Sequence, residues 1–157
     1  MGRLTLNILL SFAQFEREII SERTRDKMGA ARMKGKWMGG LPPFGYQIDK
    51  EKQILSVKPD EAEDVKFMFE TFIKEKSITK LMWLLKERGI GHREYLCRNN
   101  RVLPARPFVK QTIHKLLRNP TYTGKVVYRH KEYPGEHEAI ISEEIFNQAQ
   151  EAMSGKR

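Results

Sequence analysis

The sequence predicts a mainly helical α+β fold: a long N-terminal helix, a linker, and a compact helical domain with small β-hairpins and a helix-turn-helix-like core. Three observations predict it. Residues 4–34 contain no proline and a single interior glycine, Gly29, and are rich in Leu, Ala, Glu, Arg and Met, which favour helix. Residues 35–46 then gather Gly35, Gly39, Gly40, Gly45, Pro42 and Pro43, which no helix can continue through. Beyond them, apolar residues recur at helical spacing in several stretches separated by short alternating segments. The predicted boundaries are 1–34 for the long helix, 35–45 for the linker and 46–157 for the domain.

In the long helix, turning residues by about 100° each places Arg3, Asn7, Ser11, Gln14, Glu18 and Ser21 in one narrow polar strip, leaving most of the first half apolar. So wide an apolar sector exceeds one packing face, so this half is expected to lie between two bodies, such as a missing domain and a symmetry mate, in a truncated protein. After Ile20 the helix turns polar and its apolar residues are small or flexible: Met28, Ala30, Ala31 and Met33. Trp37, Phe44 and Tyr46 in the linker are read as anchors that pin it to the domain surface.

Residues 46–49 and 54–57 alternate as a short hairpin. Pro59, Asp60 and Glu61 open a helix whose buried stripe is Ala62, Val65, Phe69, Phe72 and Ile73. A second helix starts near Ser77 with Ile78, Leu81, Met82 and Leu85 inside, and ends at a left-handed Gly89 followed by Ile90. Residues 91–107 are expected to be a long basic loop. A third helix runs over 108–118, with Phe108, Val109, Thr112, Ile113, Leu116 and Leu117 on one half of its wheel and Lys110, Gln111, His114, Lys115 and Arg118 on the other. Residues 125–129 form a strand, Pro134-Gly135 a turn and 138–141 the returning strand. Ser142 caps the last helix, with Glu143 and Glu144 at its positive end and Ile145, Phe146, Ala149 and Met153 packing inward.

At 157 residues, two full enzyme domains do not fit. No window carries the ~18 uninterrupted apolar residues of a membrane helix, and the start of the chain lacks the pattern of a secretory signal, so a cytoplasmic protein is expected. Cys97 is the single cysteine, and His92, His114, His130 and His137 show no metal-ligand spacing, so no metal site is expected. The formal charge is +9, and it is concentrated: residues 76–131 hold 14 basic and 2 acidic side chains, between flanks in which acids predominate. Such a field calls for a polyanion, of which phosphate backbone is the commonest.

The two helices over 77–88 and 108–118, followed by a hairpin, resemble a helix-turn-helix with a wing, although the connection is far longer than a standard turn. The outer face of the third helix combines base-reading with phosphate-binding side chains. By itself such a face is more often merely solvated; the surrounding charge favours nucleic-acid contact. Sequence motifs for nucleophilic elbows, zinc proteases and phosphate-cradling loops are missing. Two rival readings remain: a helical oligomerisation and interaction module whose basic surface meets an acidic protein, and a small metal-dependent nuclease built on Glu22.

Residues 1–25 (MGRLTLNILLSFAQFEREIISERTR) and 34–46 (KGKWMGGLPPFGY) closely resemble serine site-specific recombinases, particularly the large serine integrases. Residues 116–124 (LLRNPTYTG), 137–141 (HEAII) and Phe146 are similar to the later part of that family's recombinase domain. The sequence departs from the pattern where Pro107-Phe108 stands in place of a tryptophan. The resemblance implies that the long helix follows a catalytic domain, packs in the dimer and crosses the DNA minor groove, that the linker lies along the groove, and that the domain reads a half-site of an attachment site in double-stranded DNA.

It implies further that Glu22 and Arg23 are accessory to an active centre whose nucleophilic serine lies upstream, so that this chain alone is inactive. In the family that serine attacks a phosphodiester to form a covalent 5′-phosphoseryl link, without a cofactor. A bacterial or phage origin and association with the nucleoid follow by the same comparison. The expected DNA contacts are Arg25, Arg32, Lys34 and Lys36 to phosphate or the minor groove, Arg93, Arg98, Arg101 and Arg106 to phosphate, and Lys110, Gln111, His114, Lys115 and Arg118 facing the major groove. Self-association through the N-terminal helix is expected in the full protein.

Overall fold

The computed structural model describes residues 2–49, 51–52, 54–97 and 100–155. Helix α1 (Gly2–Met33) runs for 32 residues, about 48 Å at ~1.5 Å per residue. Its end is a Schellman turn: Lys36 N–H reaches the Ala31 carbonyl and Gly35 N–H the Arg32 carbonyl, each at 3.0 Å, with Gly35 at φ 78°. The glycine is required twice over, because a Cβ there would also strike the Pro134 carbonyl. Glu136 N–H in turn donates to the Gly35 carbonyl at 3.1 Å, tying the end of α1 to the chain beyond the later hairpin.

The body begins with β1 (Tyr46–Ile48) antiparallel to β2 (Leu55–Val57). The Asp49 carboxylate accepts from the N–H groups of Glu51 and Lys52, which tightens the turn and holds that carboxyl below the usual carboxylate range. Helix α2 (Pro59–Glu75) starts with proline in its first turn, where no backbone donor is needed. Helix α3 (Ile78–Glu87) is capped by Ser77, whose hydroxyl accepts from Lys80 N–H. Gly89 at φ 66° closes it, with Ile90 N–H on the Leu85 carbonyl. Helix α4 (Lys110–Leu117), a 3-10 turn (Pro120–Thr123), the hairpin of β7 (Lys125–Tyr128) and β8 (Lys131–Pro134), and α5 (Glu143–Ser154) complete the chain.

Helix α2 is the centre of the core, packing against α3 and α5, while α4 lies against both of those. Val65, Met68, Phe69, Leu81, Ile113, Leu117 and Ala149 are fully buried, and Tyr122 at 1% exposure fills the space beside Phe69. Burial pushes the Tyr122 phenol up, and its hydroxyl donates to the Phe44 carbonyl at 2.8 Å. Tyr46, also raised by burial, donates to the carbonyls of Thr121 and Glu138. Tyr46 is thus buried and Phe44 and Trp37 half-buried against the core, as expected of linker anchors.

Four expectations need correction. Residues 91–107 are not an irregular loop but a two-tier antiparallel ribbon, in which β3 (Gly91–His92) pairs with β6 (Arg106–Pro107) and β4 (Tyr95–Leu96) with β5 (Val102–Leu103). The hairpin after the 3-10 turn reverses at Arg129-His130, at φ 48° and 63°, and not at Pro134-Gly135; paired left-handed residues form the tight primed turn that suits strand twist. Residues 138–141 are not its returning strand, because β8 already occupies that edge. Instead the N–H groups of Ile140 and Ile141 both reach the Tyr122 carbonyl. Finally, α4 starts at Lys110, and Val109 sits at its N-cap, 55% exposed, outside the buried face predicted for it.

Candidate nucleic-acid interface

Helix α4 is held from three sides. Ile113, Leu116 and Leu117 bury its inner face, and Phe108 packs edge-on to Phe44 at 5.0 Å just before its start. At the other end the Gln150 amide of α5 donates to the Leu117 carbonyl at 2.7 Å, satisfying a terminal acceptor. The opposite face is thereby fixed outward: Lys110, Gln111, Lys115 and Arg118 are exposed and His114 is half-buried. Five side chains predicted on one face therefore stand together on a helix that cannot roll.

A second basic group forms where α1 meets the β7–β8 hairpin. Gly29 is buried against Tyr128; a Cβ there would lie 2.5 Å from the phenol oxygen, so glycine is what lets the helix approach. The Arg32 guanidinium lies 5.7 Å from the Tyr128 ring centroid and that of Arg129 5.3 Å, two cations on one ring. Ser21, Thr24, Arg25, Met28 and Arg32 line the cleft beside it. Of the four residues expected at phosphate or the minor groove, Arg25 and Arg32 both line this cleft. Glu22 and Arg23 are exposed on α1 and do not line the cleft, and Lys34 and Lys36 are exposed at the Schellman turn. The structure adds Tyr128 and Arg129 to this group; the run Tyr128-Arg129-His130-Lys131 carries the signal, but a strand over 125–129 does not by itself single it out.

The third group is the ribbon. Arg106 pairs in register with His92, and Arg101 precedes β5. Arg93 faces Asp60 at 3.6 Å and Glu61 at 3.7 Å, so part of its charge is turned toward the start of α2. Arg98 lies outside the described residues. The Glu61 carboxylate, only 6% exposed, also accepts from Gly45 N–H at 3.1 Å and Lys58 Nζ at 2.7 Å, fastening linker, helix and ribbon to one group. His92 is held below the ordinary imidazole range, first by burial and then by Arg106. Its ring packs 4.4 Å from Phe108, and its buried Nε2 finds no hydrogen-bond partner among the described residues. His137 Nε2 lies 2.7 Å from the Thr121 carbonyl, which can only accept, so that nitrogen carries the proton. Among the described residues no three His, Cys, Asp or Glu side chains converge on a metal-sized site, and no helix is long and apolar enough to cross a membrane.

The helical body with its outward basic face is of the recombinase type: residues 59–156 match the Recombinase family model. Residues 1–37, most of them in α1, match the model of the resolvase N-terminal domain. The chain belongs to the large serine recombinases. The fold is similar to that in a crystal structure of an LSR–DNA complex, with a TM-score of 0.68 and 27% identity over 84% of this chain and 39% of the other. A structure bearing on the sequence requirements of the Listeria innocua prophage attP site gives 0.64 and 26%, over 88% of this chain and 51% of the other. The chain therefore spans about two fifths to one half of those proteins.

Proposed function

We propose that this chain binds duplex DNA at one half-site of an attachment site, within a large serine recombinase that integrates or excises DNA at specific sequences. The observation that carries the reading is α4, a helix locked by core contacts on one face and offering Lys110, Gln111, His114, Lys115 and Arg118 on the other. Gln111 has the donor-acceptor pair that reads an adenine edge in the major groove, and Arg118 the fork that reads guanine or grips phosphate. Arg25 and Arg32, in the cleft by Tyr128, and Lys34 and Lys36 beyond it hold the backbone or the minor groove. Arg93, Arg101 and Arg106 add phosphate contacts from the ribbon side, and Arg98 is assigned the same role from the sequence alone. Glu22 and Arg23 are accessory to the reaction.

The division into a long helix (1–34), a linker along the groove (35–45) and a DNA-binding domain (46–157) belongs to the same proposal. The exposed Leu6, Leu9, Leu10, Phe12 and Phe15 of α1 support self-association through that helix.

A salt series tests the reading. With about 6 phosphates neutralised, log K falls against log[salt] with a slope of about −5, and a slope near zero refutes DNA binding. Gln111→Ala relaxes preference among sequences, whereas Lys34→Ala weakens all of them alike. The reverse pattern removes α4 from the recognition role.

A further inference from the structure

A pair of packed helices needs only a few residues to join α3 to α4, yet the chain leaves the body at Gly91 and returns to it at Pro107. None of the described residues of 91–107 belongs to the buried core. The excursion is nonetheless built to point. Its base is pinned: Gly91 lies so close to the opposite strand that a Cβ would sit 2.8 Å from the Arg106 carbonyl oxygen, and the His92 ring is packed against Phe108. Arg93 adds its contacts to Asp60 and Glu61. Further out, Cys97 N–H bonds the Arg101 carbonyl at 2.8 Å, and Asn100 N–H, from a residue at φ 59°, bonds the Cys97 carbonyl at 3.0 Å, closing a tight turn.

Near that turn Leu96 stands opposite Val102, 63% and 50% exposed, while the neighbouring pair Tyr95 and Leu103 is half-buried. Directly opposed residues share one face of a ribbon, so Leu96 and Val102 form a single exposed apolar pair at the outer end of the β4–β5 ladder. Two side chains are far too little surface for a protein partner, which needs about 800 Å² a side. Arg101 and Arg106 along the same ribbon outweigh Glu94, and an apolar wedge beside cations is the composition used to enter a DNA groove. A two-stranded ribbon also fits the major groove. From His92 to Leu96 the ribbon reaches about 13 Å at ~3.3 Å per residue, the length of about four base pairs.

Resting on the DNA reading above, we infer that the ribbon seats its exposed Leu96–Val102 pair in a groove of the same duplex, about four base pairs outside the segment covered by α4. The test is hydroxyl-radical footprinting and affinity measurement on a duplex of about 40 base pairs that the chain itself has selected from a randomised pool. It compares the wild-type chain with Leu96→Ser/Val102→Ser, whose two sites are exposed and whose folding is checked by its melting curve.

The expected result is a footprint shortened at one end by about four pairs and at least tenfold weaker binding. That difference disappears on a duplex trimmed of those pairs. Equal footprints and affinities overturn the inference while leaving the DNA reading intact. A change in sedimentation of the free chain without a change in footprint makes a second copy the occupant and also overturns it. No salt-dependent binding of any duplex by the wild-type chain defeats the DNA reading itself, and the inference with it.

Discussion

Replacing Glu61 tests the claim that one buried carboxylate fastens linker, α2 and ribbon together. In Glu61→Ala the Gly45 N–H, in a buried residue, loses its acceptor, which costs about 1–3 kcal/mol. The bond to Lys58, whose side chain is 34% exposed, contributes a further ~0.5–1 kcal/mol, and the long contact to Arg93 little. Releasing the carboxylate from its buried site offsets part of this, leaving a net loss of about 2 kcal/mol. With a urea slope of about 2 kcal/mol/M for a domain of this size, the unfolding midpoint falls by about 1 M. Glu61→Gln keeps an oxygen that can accept from Gly45, so its midpoint falls by about half as much. Equal shifts for the two variants, or a shift below about 0.3 M for alanine, refute the role assigned to this bond.

Two further outcomes follow from the same region. Gly45 has φ 94°, and a Cβ there would lie 2.9 Å from both Val65 Cγ2 and Ile140 Cδ1, so Gly45→Ala combines left-handed strain with core crowding. It loses about 2 kcal/mol in urea unfolding, and a neutral result contradicts the packing described. Burial, with Arg106 beside it, holds the His92 imidazole below its ordinary range in the folded state, so the unfolded chain takes up the proton first as pH falls below the ordinary value of 6.5. Its contribution is complete above that value and is lost as pH falls from there toward the lowered folded value. Melting temperatures between pH 7 and pH 5 therefore drop more steeply for the wild type than for His92→Phe, and parallel curves refute the effect.

What the sequence makes legible is what local chemistry decides. Pro59, Ser77 and Ser142 announce helix starts and Gly89 a helix end, because a cap is a contact across three or four residues. The outer face of α4 follows from its apolar period alone. The β7–β8 hairpin escapes because its two left-handed positions fall on Arg129 and His130, where no glycine or asparagine gives the signal. The Pro134-Gly135 dipeptide looks like a turn, yet Pro134 pairs with Lys125 in the ladder and Gly135 N–H bonds back to Gly124. The ribbon over 91–107 escapes because strands of two residues are too short to show alternation. Glu61 reads as an acid favouring a helix dipole, whereas its partner Gly45 stands 16 residues earlier and no local rule connects them.

The two basic groups, on α4 and on α1, are useful to one another only if the long helix keeps a fixed direction relative to the body. A helix joined by a glycine-rich linker would ordinarily swing, since such a linker fixes little. Here the linker is held at its first residue. Gly29 brings the helix against Tyr128 on β7, and the Gly35 carbonyl accepts from Glu136 just beyond β8, so the end of α1 is fastened to β7 and to the chain that follows the hairpin. The hairpin is anchored in turn by Lys125, which reaches Glu132 at 3.3 Å and Glu143 of α5 at 2.8 Å. A rotation of α1 would have to pull Gly29 from Tyr128, part Arg32 from the same ring and break the Gly35 bond together. The cations of the cleft and those of α4 are therefore carried on one continuous framework, with the hairpin as its brace.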